Sequence, residues 1–161
     1  MDNHLCKWDS LPKDVTASKY FSSLNTERCT RQYDAPVISF SHFVPRLELV
    51  RQEKEDADEV NRFRMRHHLG EAPSYQGGMA KFNFTRYAGS KTLEADIRKV
   101  KAIVHVYGHQ HRNRDREVEG LRYVSHCLGN IKEQKEGWTW GLDEWKGPKQ
   151  IWPAVKSDPA I

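Results

Sequence analysis

Two histidines one residue apart, His109 and His111, follow a glycine in the run Ala102-Ile103-Val104-His105-Val106-Tyr107-Gly108-His109-Gln110-His111. Imidazole is the commonest side-chain metal ligand, and a neutral ring nitrogen suits borderline ions. A second run, Val37-Ile38-Ser39-Phe40-Ser41-His42-Phe43-Val44-Pro45, also delivers a histidine, His42, where an apolar stretch ends. In extended backbone, residues i and i+2 point the same way. A sharp turn at Gly108, which has no Cβ, would instead fan His109 and His111 apart. A lone histidine at a strand end usually just finds a hydrogen-bond partner. Two strands that both end this way make a convergent imidazole site the expectation.

The elements that must position these rings can be read from the same stretches. Ile103, Val104, Val106 and Tyr107 are β-branched or aromatic and predict a buried strand, which Gly108 breaks. Upstream, Leu93, Ile97 and Val100 fall at helical spacing. Ser90 and Thr92 are candidate N-caps there, Glu94 lies in the first turn, and Lys99 and Lys101 lie in the last. Val37 to Ser41 predicts a second strand, stopped by Pro45, and Leu121 to Leu128 a third, ended by Gly129 and neighbouring 102–107. Chemistry in α/β proteins gathers at the carboxyl ends of such strands.

Elsewhere the signals are structural. A helix is expected from near Asp14, with Ala17, Tyr20, Phe21 and Leu24 as its packing face, followed by a polar connection from Asn25 to Ala35. Residues 46–69 predict a solvated, charged excursion. A helix near 56–66 would have only a thin apolar face of Ala57, Val60 and Phe63. His67 and His68 are adjacent, so their side chains diverge, and they are not read as ligands. Gly70, Pro73, Gly77 and Gly78 mark a loop, and Phe82, Phe84 and Tyr87 a weak strand or aromatic packing. Arg112 to Glu119 is expected to be a polar turn closed by Gly120, and Gln150 to Trp152 a final strand in a Trp-rich tail.

Length and composition bound the answer. The 161 residues suggest one domain with a real core; 37 % are hydrophobic and 30 % charged, which is not a disordered composition. A net charge of +4 and a pI near 9.0, with no basic block, are compatible with phosphorylated or nucleic-acid ligands and too weak to establish either; nucleic acid is not the partner expected. Cys6, Cys29 and Cys127 are odd in number and widely spaced, which argues against a disulfide framework. No apolar run reaches the ~20 residues of a membrane span, and the polar start Asp2-Asn3-His4 is no signal peptide. A soluble, cytoplasmic protein without a membrane partner is expected.

Taken in order, several motifs resemble one family. Val37 to Arg46 resembles the histidine motif of calcineurin-like metallophosphoesterases. Ala88-Gly89-Ser90, Leu93 and Ile97-Arg98 are similar to the segment leading to that family's last motif. Gly108-His109-Gln110-His111 is similar to its G-H-x-H signature, and Gly120-Leu121-Arg122-Tyr123-Val124 to the strand that follows. The resemblance covers about residues 35–130, more weakly to Trp152. It implies an α/β chain (an α+β sandwich), specifically the C-terminal half of a four-layer α/β/β/α fold with a dinuclear metal centre at the strand ends. His42 and His109 would ligate one divalent ion and His111 the other, the ions being manganese, iron or zinc. Two such ions ~3.5–4 Å apart clamp a phosphoryl group and activate water for in-line attack.

The departures from that pattern carry equal weight. The family also uses D-x-H, G-D and G-N-H-E/D motifs, all N-terminal to the strand that 37–41 resembles; apart from Asp2-Asn3-His4, which lacks the preceding strand and glycine and is not carried over, this sequence contains none of them. The carboxylates that would neutralise two dications are therefore missing, and a tri-histidine cluster alone should hold such ions poorly. No catalytic residue is assigned beyond the metal ligands. The expectation is a single, incomplete phosphoesterase domain over residues 1–161, acting on a phosphorylated substrate but impaired alone, and needing an N-terminal segment or partner chain. The rival expectation is a non-catalytic remnant that keeps half the fold as a binding or scaffolding module.

Overall fold

A computed structural model describes residues 7–50, 54–70, 89–136, 139, 141–142 and 145–152. The described residues form a mixed α/β structure: a four-stranded open sheet with four helices. In chain order these are α1 (Ala17–Thr30), β1 (Val37–Ser41), a 3-10 turn (Leu47–Leu49) and α2 (Lys54–Arg66). There follow α3 (Lys91–Lys99), β2 (Ala102–Tyr107), β3 (Arg114–Val118), β4 (Leu121–Ser125) and α4 (Ile131–Glu136). The expected segments at 70–82 and 82–87 lie largely outside the described residues.

The sheet runs β1-β2-β4-β3. β1 and β4 flank β2 in parallel, so three strands end at the same edge, the one to which His42 and His109 are attached. β3 pairs antiparallel with β4 through a two-residue turn. Both turn residues, Glu119 (φ 52°) and Gly120 (φ 73°), have positive φ, the signature of the tight hairpin turn that matches strand twist. The polar stretch expected to be a turn is thus mostly a strand. Its composition, Arg-Asp-Arg-Glu-Val, hid it. On an edge strand, charge protects an open backbone and costs little burial. Asp115 holds Arg122 through two contacts of 2.7 Å, and Lys149 binds the same carboxylate at 2.7 Å. The Arg122 guanidinium, with Lys149 behind it, pulls the Asp115 carboxyl down to about 2.

The core lies between one face of the sheet and α3. Val44, Leu49, Val50, Ile97, Tyr107, Leu121 and Tyr123 pack together, joined by Leu93, Ala102 and Val118. α3 begins as its sequence requires: Ser90 is the N-cap, its Oγ accepting the Thr92 N–H at 3.2 Å, and Arg98 and Lys99 occupy the last turn. Its amphipathic spacing puts Ile97 against the sheet at 4 % exposure. The side chain of Tyr123 donates to both Glu94 oxygens (2.7 and 2.8 Å), and Glu94 also receives Arg46 (3.1 Å) and Arg98 (2.9 Å). Arg46 reaches on to Glu119 at 2.7 Å. This network ties the segment after β1, helix α3 and the β3–β4 turn into one body. Burial, then the Glu94 hydrogen bond, pushes the Tyr123 phenol up to about 12.

Helix α1 departs from expectation twice. It starts at Ala17, with Thr16 as N-cap, because Asp14 takes a positive φ of 67°. It also runs on to Thr30 through the expected connection, Asn25 and Thr26 bonding back to the carbonyls of Phe21 and Ser22. The stripe of Tyr20, Phe21 and Leu24 does not pack inward: these residues are 37, 50 and 61 % exposed. The inner side is polar, Ser22 Oγ donating to Asp96 of α3 at 2.9 Å. Leu24→Gln is accordingly expected to move the urea-unfolding free energy by no more than ~0.5 kcal/mol, whereas a buried leucine truncated to alanine costs ~2–5 kcal/mol. A loss in the second range would mean the stripe is covered.

Two smaller differences concern the tail. Residues 150–152 form no strand, and the short helix α4 stands where no helix was expected. Among the described residues no helix is long and apolar enough to cross a membrane.

Candidate metal-binding site at the strand ends

β1 and β2 are in register from Ile38 opposite Val104 to Ser41 opposite Tyr107. The next residues in each chain are His42 and Gly108, and the Gly108 N–H donates to the His42 carbonyl at 3.2 Å. The pairing therefore continues one step past the strands. It brings the two histidine-bearing ends side by side. His42 Nε2 lies 3.0 Å from His109 Nδ1, with the rings edge-to-face and 4.9 Å between centroids. Phe43 packs against both rings, at 5.3 Å and 5.1 Å. A Cβ at Gly108 would lie 3.7 Å from His42 Nδ1, an ordinary contact, so this glycine supplies the break in the strand rather than space for the ring.

The H-x-H pair does not share a side. His109 (φ 74°) and His111 (φ 52°) both adopt left-handed backbone, which fans the rings apart. Such conformations cost ~1–2 kcal/mol each outside glycine and collect at functional sites. His111 turns to Glu133 on α4, its Nδ1 lying 2.9 and 2.8 Å from the two carboxylate oxygens. Asn113 braces the turn from behind: its side chain donates to the Cys127 carbonyl at 3.1 Å and accepts the Cys127 N–H at 2.6 Å. Glu133 was invisible to sequence reasoning because it sits 22 residues downstream in a short helix. The signal available was Asn130, three residues before Glu133, a capping-box spacing. That box forms: Glu133 N–H donates to Asn130 Oδ1 (2.9 Å), and Asn130 N–H to Glu133 Oε2 (2.7 Å). The Asn130 N–H foremost, and then the His111 ring, hold the Glu133 carboxyl below its ordinary range against a smaller opposing effect of burial.

A fourth histidine, His105, is structural. It is 1 % exposed on β2 and bridges two hydroxyls of β1, Ser39 (2.8 Å to Nδ1) and Ser41 (3.0 Å to Nε2). Burial drives its imidazole down to about 4, against a smaller opposing pull from Glu94. His67, just beyond the end of α2, packs on Phe63 of that helix, the rings tilted and 4.4 Å apart between centroids.

The 3.0 Å between His42 Nε2 and His109 Nδ1 is shorter than the ~3.4 Å that a tetrahedral ion with ~2.1 Å bonds sets between two nitrogens, so an ion held there would spread the rings by a few tenths of an ångström. The same spacing is an ordinary hydrogen bond when one facing nitrogen is protonated, so an ion and a proton compete for the position. Among the described residues no group of three or more His, Cys, Asp or Glu side chains is arranged to hold a metal ion. The donor set is thus two neutral nitrogens, with His111 held apart by its carboxylate.

Compared with protein-family models, with curated proteins and with solved structures, the chain gives no match.

Proposed function

We propose that this chain carries the C-terminal half of a calcineurin-like metallophosphoesterase domain, a hydrolase of phosphomonoesters or phosphodiesters that is impaired on its own. The observation that carries the reading is the 3.0 Å approach of His42 and His109 from the ends of adjacent parallel strands. In this reading the two rings hold one borderline divalent ion, manganese, iron or zinc, and His111 serves a second. Ions bound there would polarise the phosphoryl oxygens of the substrate. The residues of this chain orient that position: Phe43 packs on both rings, and Asn113 fixes the turn beneath it. The exposed Phe40 on β1 (83 %) supports the finer four-layer fold, since a second sheet would pack on that side. Impairment follows from charge: two neutral nitrogens offer nothing anionic against a dication. Carboxylates from an N-terminal segment or a partner chain would complete the centre. Two described cysteines, Cys29 and Cys127, are free, which supports a reducing, cytoplasmic setting.

Titrating zinc into the purified chain by calorimetry tests this. Zinc is expected to bind, and His109→Ala to weaken it by ~100-fold, about 2.7 kcal/mol. Equal binding by both proteins would sink the reading. Hydrolysis of p-nitrophenyl phosphate with manganese is expected to be negligible for the chain alone. Turnover that His109→Ala abolishes would refute the impairment and keep the family assignment.

The absence of a three-ligand cluster among the described residues favours one alternative, a non-catalytic binding or scaffolding module. A folded chain whose unfolding midpoint zinc leaves unmoved would select it.

A further inference from the structure

We infer that Glu133 is the positioning residue of His111, locking it as the Nδ1–H tautomer and presenting Nε2 as the ring's bare, ligand-ready nitrogen. Both carboxylate oxygens of Glu133 face Nδ1, at 2.9 and 2.8 Å. A carboxylate only accepts, so the proton between them belongs to the imidazole. A neutral imidazole carries a single N–H, and with Nδ1 bearing it, the lone pair is on Nε2.

The carboxylate is itself fixed. Its Oε2 takes the Asn130 N–H at 2.7 Å, and the Glu133 N–H is spent on Asn130 Oδ1 at 2.9 Å. Gly129, at φ 65°, lets the backbone turn there; a Cβ would collide with Thr139 Oγ1 and stand 3.1 Å from Glu133 Oε2. Thr139 is fully buried, so it cannot step aside. The carboxylate is therefore held by the Asn130 N–H on one side, and His111, strained into left-handed backbone, is turned to meet it on the other. A histidine that binds a ligand through one nitrogen commonly donates the other N–H to a carboxylate, and loss of that partner costs ~10–100-fold in affinity. Glu133 thus sets which atom His111 offers, while touching no ligand itself. That the offered atom receives a metal ion rests on the function proposed above; the tautomer does not.

The test is nitrogen NMR of the full chain labelled at histidine, at a pH where His111 is neutral, for wild type, Glu133→Gln and Glu133→Leu. Long-range couplings from the ring carbons report which nitrogen carries hydrogen. His111 is expected to be Nδ1–H in wild type and in Glu133→Gln, whose amide oxygen still accepts. In Glu133→Leu it is expected to revert to Nε2–H. Zinc is then titrated while the His111 ring resonances are followed. The affinity read there is expected to fall ~10–100-fold in Glu133→Leu and to recover in Glu133→Gln. An Nε2–H ring in wild type, or a tautomer indifferent to Glu133→Leu, overturns the inference. Should Glu133→Leu fail to fold, the wild-type and Glu133→Gln tautomers decide it. A correct tautomer with no zinc response overturns the metal reading alone.

Discussion

Gly89→Ala is expected to destabilise the protein by ~3 kcal/mol, at the upper end of what overpacking costs. A Cβ at Gly89 would fall inside the carbonyl group of Val44 and 3.1 Å from its amide nitrogen. These are backbone atoms, so no rotamer change relieves the clash. Val44 and Gly89 are joined by an isolated parallel bridge, and Val44 is 2 % exposed within the core. The added methyl must push apart two segments that the ion network of Arg46 and Glu94 holds together. One of them carries His42, two residues before Val44. The other leads into Ser90, the cap of α3. Urea denaturation measures the loss. The zinc affinity proposed for the His42–His109 pair should fall with it, because His42 moves while His109, two residues past the end of β2, does not. A variant as stable as wild type would mean that the bridge is open in solution.

Acid should unfold the protein in a window that its carboxylates do not explain. His105 titrates near 6.5 in an unfolded chain and about 4 when folded, since burial disfavours its charged form. Between those values the unfolded state takes up a proton that the folded state refuses. Stability is therefore full above pH 6.5 and falls as pH drops toward 4, by up to about 3 kcal/mol. The depressed carboxyls act lower, Asp115 near 2 among them, and add their losses below pH 4.5. Unfolding free energies from urea titrations at pH 7.5, 6, 5 and 4.5 should decline by ~1.4 kcal/mol per unit in the middle of this range. His105→Asn should flatten that slope, even if it lowers stability throughout. A wild-type curve that is level from pH 7 to 5 would mean that His105 takes its proton without penalty and that its two serine bonds rearrange.

The parts of the fold legible in the sequence were those whose apolar pattern is paid out in burial. β2 and α3 are such elements, each with its end signal: Gly108 for the strand and Ser90 for the helix. β1 was legible as well, and with it the meeting of His42 and His109, since parallel neighbours must end at the same edge. The sequence could not decide between the two courses open to His109 and His111. That choice depended on positive φ at both residues and on a carboxylate 22 positions away. Edge strand β3 was hidden because its stability comes from pairing and charge, not from apolar alternation. The α1 stripe misled for the opposite reason: helical spacing of Tyr20, Phe21 and Leu24 says that a face exists, not which way it points. His105 carried no mark distinguishing it from its neighbours. Its role emerges only when β1 sets two hydroxyls opposite it.

The two kinds of pairing in this sheet differ in how soon they can arise. Strands β3 and β4 are joined by two residues and can zip on the ~1–10 μs scale of a hairpin. The rings of His42 and His109 are 67 positions apart, so their encounter requires closing a long segment before any contact rewards it. A refolding chain should therefore display its hairpin well before His42 meets His109, and the delay between them is a clock for the arrival of β1.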